Sequence, residues 1–219
     1  MSEQSLTIKR KRIMIYFIEA TRNLIQTEGV DGLSIRKIAT EAGYNSATIY
    51  HYFSDLEHLT LFGSVCYLRD YIIKLSVTLN KDMTSIERFR TMYHCFNEFA
   101  FRNPAIFHNL FFGKHSHKLG EVLNTYYNEL FPEELSGISE SMRRVLLTGT
   151  MLERDRITMR DMVIDGFVNP EKADMTLELL IAVHQNYIYD AYLQGEQLDY
   201  DAHLSRFDNV MQYILDAAK

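Results

Sequence analysis

Apolar side chains return at steps of three and four residues over most of this chain, so the pattern predicts helices almost throughout and an all-α fold. The first stripe, Met14, Phe17, Ile18, Thr21, Leu24 and Ile25, predicts a helix over about 9–28 that Gly29 stops. A shorter stretch opens at Ser34, a good capping side chain, carries Ile38, Ala39 and Ala42 inward and ends at Gly43. Beyond a short segment at 45–51, a long fourth helix starts at Ser54 or Asp55 and keeps Leu59, Phe62, Val65, Cys66, Arg69, Ile72 and Ile73 on one face. Further helices are expected over 85–101, 104–112, 118–130, 139 to about 168 with room for a break, 170–194 and 199–217. Asn103-Pro104 and Asn169-Pro170 each read as a cap followed by the residue best suited to open a helix.

Residues 35–54 carry the sharpest signal. Ala39 is small where two crossing helices must touch, Gly43 falls where the connecting turn needs positive φ, and Ile49 lies on the inner face of the second helix. Asn45 is placed to cap that second helix, which would project Ser46, Thr48, Tyr50 and His51 outward. These are the steric demands of a helix-turn-helix, and they make double-stranded DNA the first partner to consider.

Residues 9–62 resemble the TetR-type (TetR/AcrR) transcriptional regulators. The run from Gly29 to Gly43 is similar to the family's second-helix segment, and Ala47-Thr-Ile-Tyr-His-Tyr-Phe53 is similar to its recognition helix. The resemblance implies a three-helix DNA-binding head over 1–54, followed over 55–219 by a larger helical body that dimerises and binds a small effector. It also implies DNA contacts from Ser34, Arg36, Asn45, Ser46, Ala47, Thr48, Tyr50, His51 and Tyr52. Two positions depart from the family's habit: a lysine common early in the recognition helix is Ser46 here, and a basic residue common near the start of the fourth helix is Leu56. Both changes remove contacts to phosphates or bases, so a dimeric interaction protein that has lost specific DNA binding is the alternative.

Charge supports the division into head and body. Residues 1–52 hold seven Lys and Arg against five acids, a surplus of two, which leaves −8 for the remainder of a chain at −6. The basic run Lys9 to Arg12 is suited to phosphates, while an acidic body discourages indiscriminate wrapping of nucleic acid. With three prolines, ten glycines and no repeat, the chain of 219 residues can bury a sizeable core. Its apolar run Ile13 to Ile18 is stopped by Glu19, so neither a targeting segment nor a membrane span is expected. Cys66 and Cys95 stand apart, outside metal-ligand spacing, and read as reduced thiols of a cytoplasmic protein.

The last two predicted helices carry wide apolar stripes: Met175, Leu179, Ile181, Ala182, Gln185, Ile188, Tyr189 and Tyr192, then Leu204, Phe207, Val210, Met211, Ile214 and Leu215. They are the expected homodimer element, and a two-fold dimer would suit a palindromic operator. The middle of the chain is rich in aromatic residues and methionine, the materials of a pocket for a mainly apolar or aromatic effector. Tyr67, Tyr71, Tyr93, His94, Asn97, Phe107, Phe111 and Tyr126 are the candidates for it, with His94 and Asn97 at its polar end and His108 and His184 as further polar groups. His108, His115 and His117 lie close in sequence but complete no zinc pattern, so neither a metal nor another cofactor is expected. Glu153, Arg154, Asp155 and Arg156 read as a solvated charged face, and no hydrolase, phosphate-loop or zinc-protease motif points to an enzyme. The function expected is a ligand-responsive transcriptional regulator, repression being its usual sign.

Overall fold

The computed structural model describes residues 6–219, apart from the side chain of Ser141; residues 1–5 of the expected head lie outside it. All regular structure among the described residues is helical. Helix α1 (Ile8–Glu28) starts at Thr7, whose hydroxyl accepts the Arg10 N–H, and ends where the Gly29 N–H meets the Ile25 carbonyl at 3.0 Å. A 3-10 turn (Val30–Gly32) leads to α2 (Ile35–Glu41), α3 (Ser46–Ile49) and α4 (Leu56–Ser64). Helix α1 crosses α4 closely: a Cβ on Gly63 would lie 2.6 Å from Cγ2 of Thr21, itself fully buried.

The expected long fourth helix is two helices, α4 and α5 (Cys66–Thr78). Val65 keeps right-handed helical angles, but the bonds on either side of it, Val65 N–H to the Phe62 carbonyl and Leu68 N–H to the Val65 carbonyl, span three residues instead of four. The apolar stripe runs straight across this tightening, so periodicity merges what the backbone divides. The body continues with α6 (Ser85–Ala100), α7 (Pro104–Phe112) and α8 (Leu119–Thr125). Helix α8 passes into a π-helical turn (Tyr126–Leu130), where one extra residue per turn brings the consecutive side chains of Tyr126 and Tyr127 both into the core. The expected break after residue 139 falls between α9 (Glu140–Leu147) and α10 (Met151–Ile164), at a link whose Gly149 lies against Gly120 of α8.

The chain closes with α11 (Ala173–Gln194) and α12 (Tyr200–Ala217). Asn169 caps as expected, accepting the Glu171 N–H at 2.9 Å, but Asn103 does not: its amide turns back to the Phe99 carbonyl. Helix α11 packs on α7 and α10, and α6 lies among α5, α10 and α12, so a continuous apolar core runs from the head into the body. No helix of the described residues is long and apolar enough to cross a membrane.

Candidate nucleic-acid interface and central cavity

The turn between α2 and α3 is built by Gly43 at φ +75°. Its N–H reaches the Thr40 carbonyl, and the Tyr44 N–H reaches back to Ala39 at 2.9 Å, the paired bonds of a Schellman ending. Ser34 caps α2 through the Lys37 N–H, and Asn45 caps α3 through the Thr48 N–H at 2.9 Å. Ile38, Ala39, Ile49 and Phe53 close the interior against Phe17 and Ile18 of α1. What faces solvent is then fixed: Arg36, Asn45, Ala47, Tyr50 and His51 are exposed, and Ser34, Ser46, Thr48 and Tyr52 are half-buried. Tyr50 is 58% exposed although its ring is apolar. The Thr48 hydroxyl is already committed to Asn45, and the Tyr52 ring carries the Arg10 guanidinium 4.9 Å above it. Of the basic run, Lys9 and Arg12 are exposed, whereas Lys11 turns to Glu129 of the body at 3.1 Å.

Head and body are joined by charge as well as packing. Arg22 of α1 bonds Glu134 at 2.8 Å and stacks over Phe131 and Tyr126, while Tyr126 donates its hydroxyl to the same carboxylate. On the other side Asp55, the cap of α4, receives Lys114 at 2.7 Å and His115 at 2.8 Å from the segment after α7. Burial pushes the Asp55 carboxyl up, but these two side chains and the His58 N–H outweigh it and hold the group well below the usual carboxylate range. Burial lowers the pKa of the neighbouring His58, with the charge of His115 adding to it. Asp55, Glu57 and His115 bring their donor atoms within 4.8 Å of one another, the start of a metal-binding set, and the Lys114 ammonium supplies an internal cation there.

The body encloses a small cavity of about 30 Å³, room for roughly one water, lined by Tyr71, Met92, Tyr93, Phe96, Val145, Met151, Arg154, Asp155 and His184. Arg154 and Asp155 are buried, which corrects their expected place on a solvated face. Arg154 donates to the Thr148 and Leu146 carbonyls that end α9, and its guanidinium lies over Phe111. Asp155 accepts the Tyr93 hydroxyl at 2.5 Å; burial raises its carboxyl to about 7, with Tyr93 and Arg154 pulling the other way. Burial alone pushes the His184 imidazole down to about 3, and its Nε2 lies 2.6 Å from the Asn97 amide oxygen.

The candidate effector residues scatter around this cavity. Tyr71 and Tyr93 line it, Asn97 stands behind it through His184, and Phe107 and Phe111 pack on Phe96 with ring centroids 5.1 Å apart. His94 is not at a polar end of the pocket: one position round α6 from Tyr93, it is exposed, pairs with Asp208 at 2.8 Å and borders an open surface groove. Tyr126 is core beside the π-helical turn, and Tyr67 borders a different groove with Arg69 and Glu134.

Residues 17–61 match the bacterial regulatory proteins of the tetR family. The matched stretch contains the whole helix-turn-helix. In those residues the chain is similar to the DNA-binding segment of the tetR family. Two solved structures similar over its full length have the same fold. One, a protein of Mesorhizobium loti MAFF303099 assigned to the TetR family, shares 14% identity at a TM-score of 0.52, with 96% of this chain and 98% of that one covered. The other, the fatty acid degradation regulator FadR of Bacillus halodurans, shares 16% at 0.51, with 97% of each covered. No curated protein matches the chain.

Arg154 and Asp155 could have been found in the sequence: Met151, Asp155, Met159 and Met162 keep steps of three and four, and all are buried. The dense run of charges hid that stripe.

Proposed function

We propose that this chain is a homodimeric, cytoplasmic repressor of the TetR type whose residues 1–54 bind a palindromic operator and whose residues 55–219 dimerise and respond to a small effector. The observation that carries the reading is a capped, glycine-terminated helix-turn-helix that leaves Tyr50 and His51 solvent-facing while burying Ile38, Ala39, Ile49 and Phe53. An exposed ring beside a projected imidazole is costly surface unless a groove covers it. Ser46, Ala47 and the N-terminus of α3 would enter with them, while Ser34, Arg36, Thr48, Asn45 and Tyr52 serve the backbone, joined by Arg10 above Tyr52.

The second copy would dock on the outer face of α11, where Met175 and Leu179 are exposed one helical turn apart. Ile188, Leu204, Phe207, Met211 and Leu215 are not on that face; they are buried within the protomer's own core.

The effector would enter the central cavity, a mainly apolar body presenting one polar group to Asp155 and Tyr93. At about 30 Å³ the cavity must open to admit it, so the liganded and free states differ around α9, α10 and α6, as coupling to the head requires. The test is selection of bound fragments from a random DNA pool, followed by titration of the enriched sequence. Tyr50→Ala should lose about 1–3 kcal/mol of operator binding with helicity unchanged. A pool from which nothing is enriched would favour the alternative, an interaction protein that kept the fold.

A further inference from the structure

Away from the central cavity, an open cleft of about 330 Å³ separates head from body, bounded by the 3-10 turn after α1, the start of α4, the end of α7 and the last turns of α11. That is the lower end of the range of small-molecule sites. Its two sides differ in chemistry. One side carries the carboxylates of Asp31, in the 3-10 turn, and Glu57, at the start of α4; the other carries the rings of His108, Tyr189 and Tyr192. The three rings follow one another, His108 to Tyr189 and Tyr189 to Tyr192 each at 6.4 Å between centroids, and the two tyrosines lie within 27° of parallel. Burial lowers the pKa of His108, so it meets the cleft as a neutral ring at neutral pH.

The site already holds stand-ins for a cationic guest. Tyr192 donates its hydroxyl to Asp31 at 3.0 Å, and the Lys114 ammonium lies 3.5 Å from Glu57. An anion would meet two carboxylates here, and a purely apolar molecule would leave them without a counter-charge. An ammonium satisfies the carboxylates, and its attached group covers the ring faces, which themselves attract cations.

We propose that this cleft binds a small organic ammonium, an amine with an aromatic or short apolar group, held between the carboxylates of Asp31 and Glu57 on one side and the His108, Tyr189 and Tyr192 rings on the other. Binding displaces the Tyr192 hydroxyl from Asp31 and the Lys114 ammonium from Glu57, so the guest replaces two of the protein's own contacts at the cleft. The inference concerns binding alone and does not rest on the operator reading.

The experiment is calorimetric titration of the full chain at neutral pH with phenethylammonium, and with phenylacetate and 2-phenylethanol as its anionic and neutral counterparts. The ammonium should bind saturably at one per chain, the alcohol about tenfold or more weaker, and the carboxylate not measurably. Asp31→Asn combined with Glu57→Gln should weaken the ammonium by about tenfold or more with helicity unchanged, and Lys114→Gln should strengthen it because the internal competitor is gone. Absence of saturable ammonium binding, binding unchanged in the Asp31→Asn, Glu57→Gln variant, or alcohol bound as tightly as the ammonium would each overturn the proposal.

Discussion

Asp155 offers a measurement in which almost everything else cancels. Its carboxyl is raised from 3.8 to about 7 in the fold, so the native state holds a proton that the unfolded chain has released. A group bound more tightly to its proton in the native state stabilises the fold below its unfolded pKa and progressively ceases to do so as pH climbs through its native one. The window is therefore about pH 4 to 7, and a shift of about three units at 1.36 kcal/mol each makes the loss about 4 kcal/mol. Against a typical stability of 5–15 kcal/mol that is a large fraction. Asp155→Asn keeps the shape, leaves an oxygen to accept the Tyr93 hydroxyl, and cannot ionise. Urea unfolding of both proteins at fixed concentration across about pH 4 to 8 should give near-equal stabilities at the acid end and a gap favouring the variant that widens by up to about 1.4 kcal/mol per pH unit. The other titrating groups are common to both proteins and drop out of the difference. A gap independent of pH would refute the buried, proton-holding carboxylate at the cavity wall.

Gly63→Ala should destabilise by about 1–3 kcal/mol in thermal unfolding, because its methyl meets the stiff Thr21 side chain at 2.6 Å; adding Thr21→Ser, which removes that methyl, should restore most of the loss. Gly43→Ala forces an L-residue to φ +75° and should cost about 1–2 kcal/mol, weakening DNA binding through the turn rather than through a contact; Gly43→Asn should cost less. Leu179→Glu, on an exposed face, should yield a folded monomer in sedimentation, whereas Ile188→Glu should unfold the protomer because that side chain is fully buried.

The helices and the turn were legible because they depend on local chemistry. Ser34, Gly43 and Asn45 each do a job that few side chains can do, so their identities gave away the geometry. The cavity was less legible, since it forms where helices far apart in sequence meet. His94 and Tyr93 are adjacent, and only the packing of α10 and α12 against α6 decides that Tyr93 faces Asp155 while His94 faces Asp208. The same holds for α12: its stripe of Leu204, Phe207, Met211 and Leu215 predicts burial correctly but cannot say whether the covering surface belongs to the same chain or to a second one. The break at Val65 left no mark in composition, because a tightened turn keeps the helical face intact.

The attachment of α1 to the body has a mechanical consequence. Lys11 is anchored to Glu129 and Arg22 to Glu134, two fastenings about 16 Å apart along one rigid rod at 1.5 Å per residue. An object pinned at a single point can swivel in any direction; pinned at two, it keeps one rotation, about the line through the pins. The head is thus a door hung along α1, and α3, standing off that line, can only swing through an arc. Asp55, the first residue after the head, is held by Lys114 and His115 away from that axis and so fixes where the chain leaves the door.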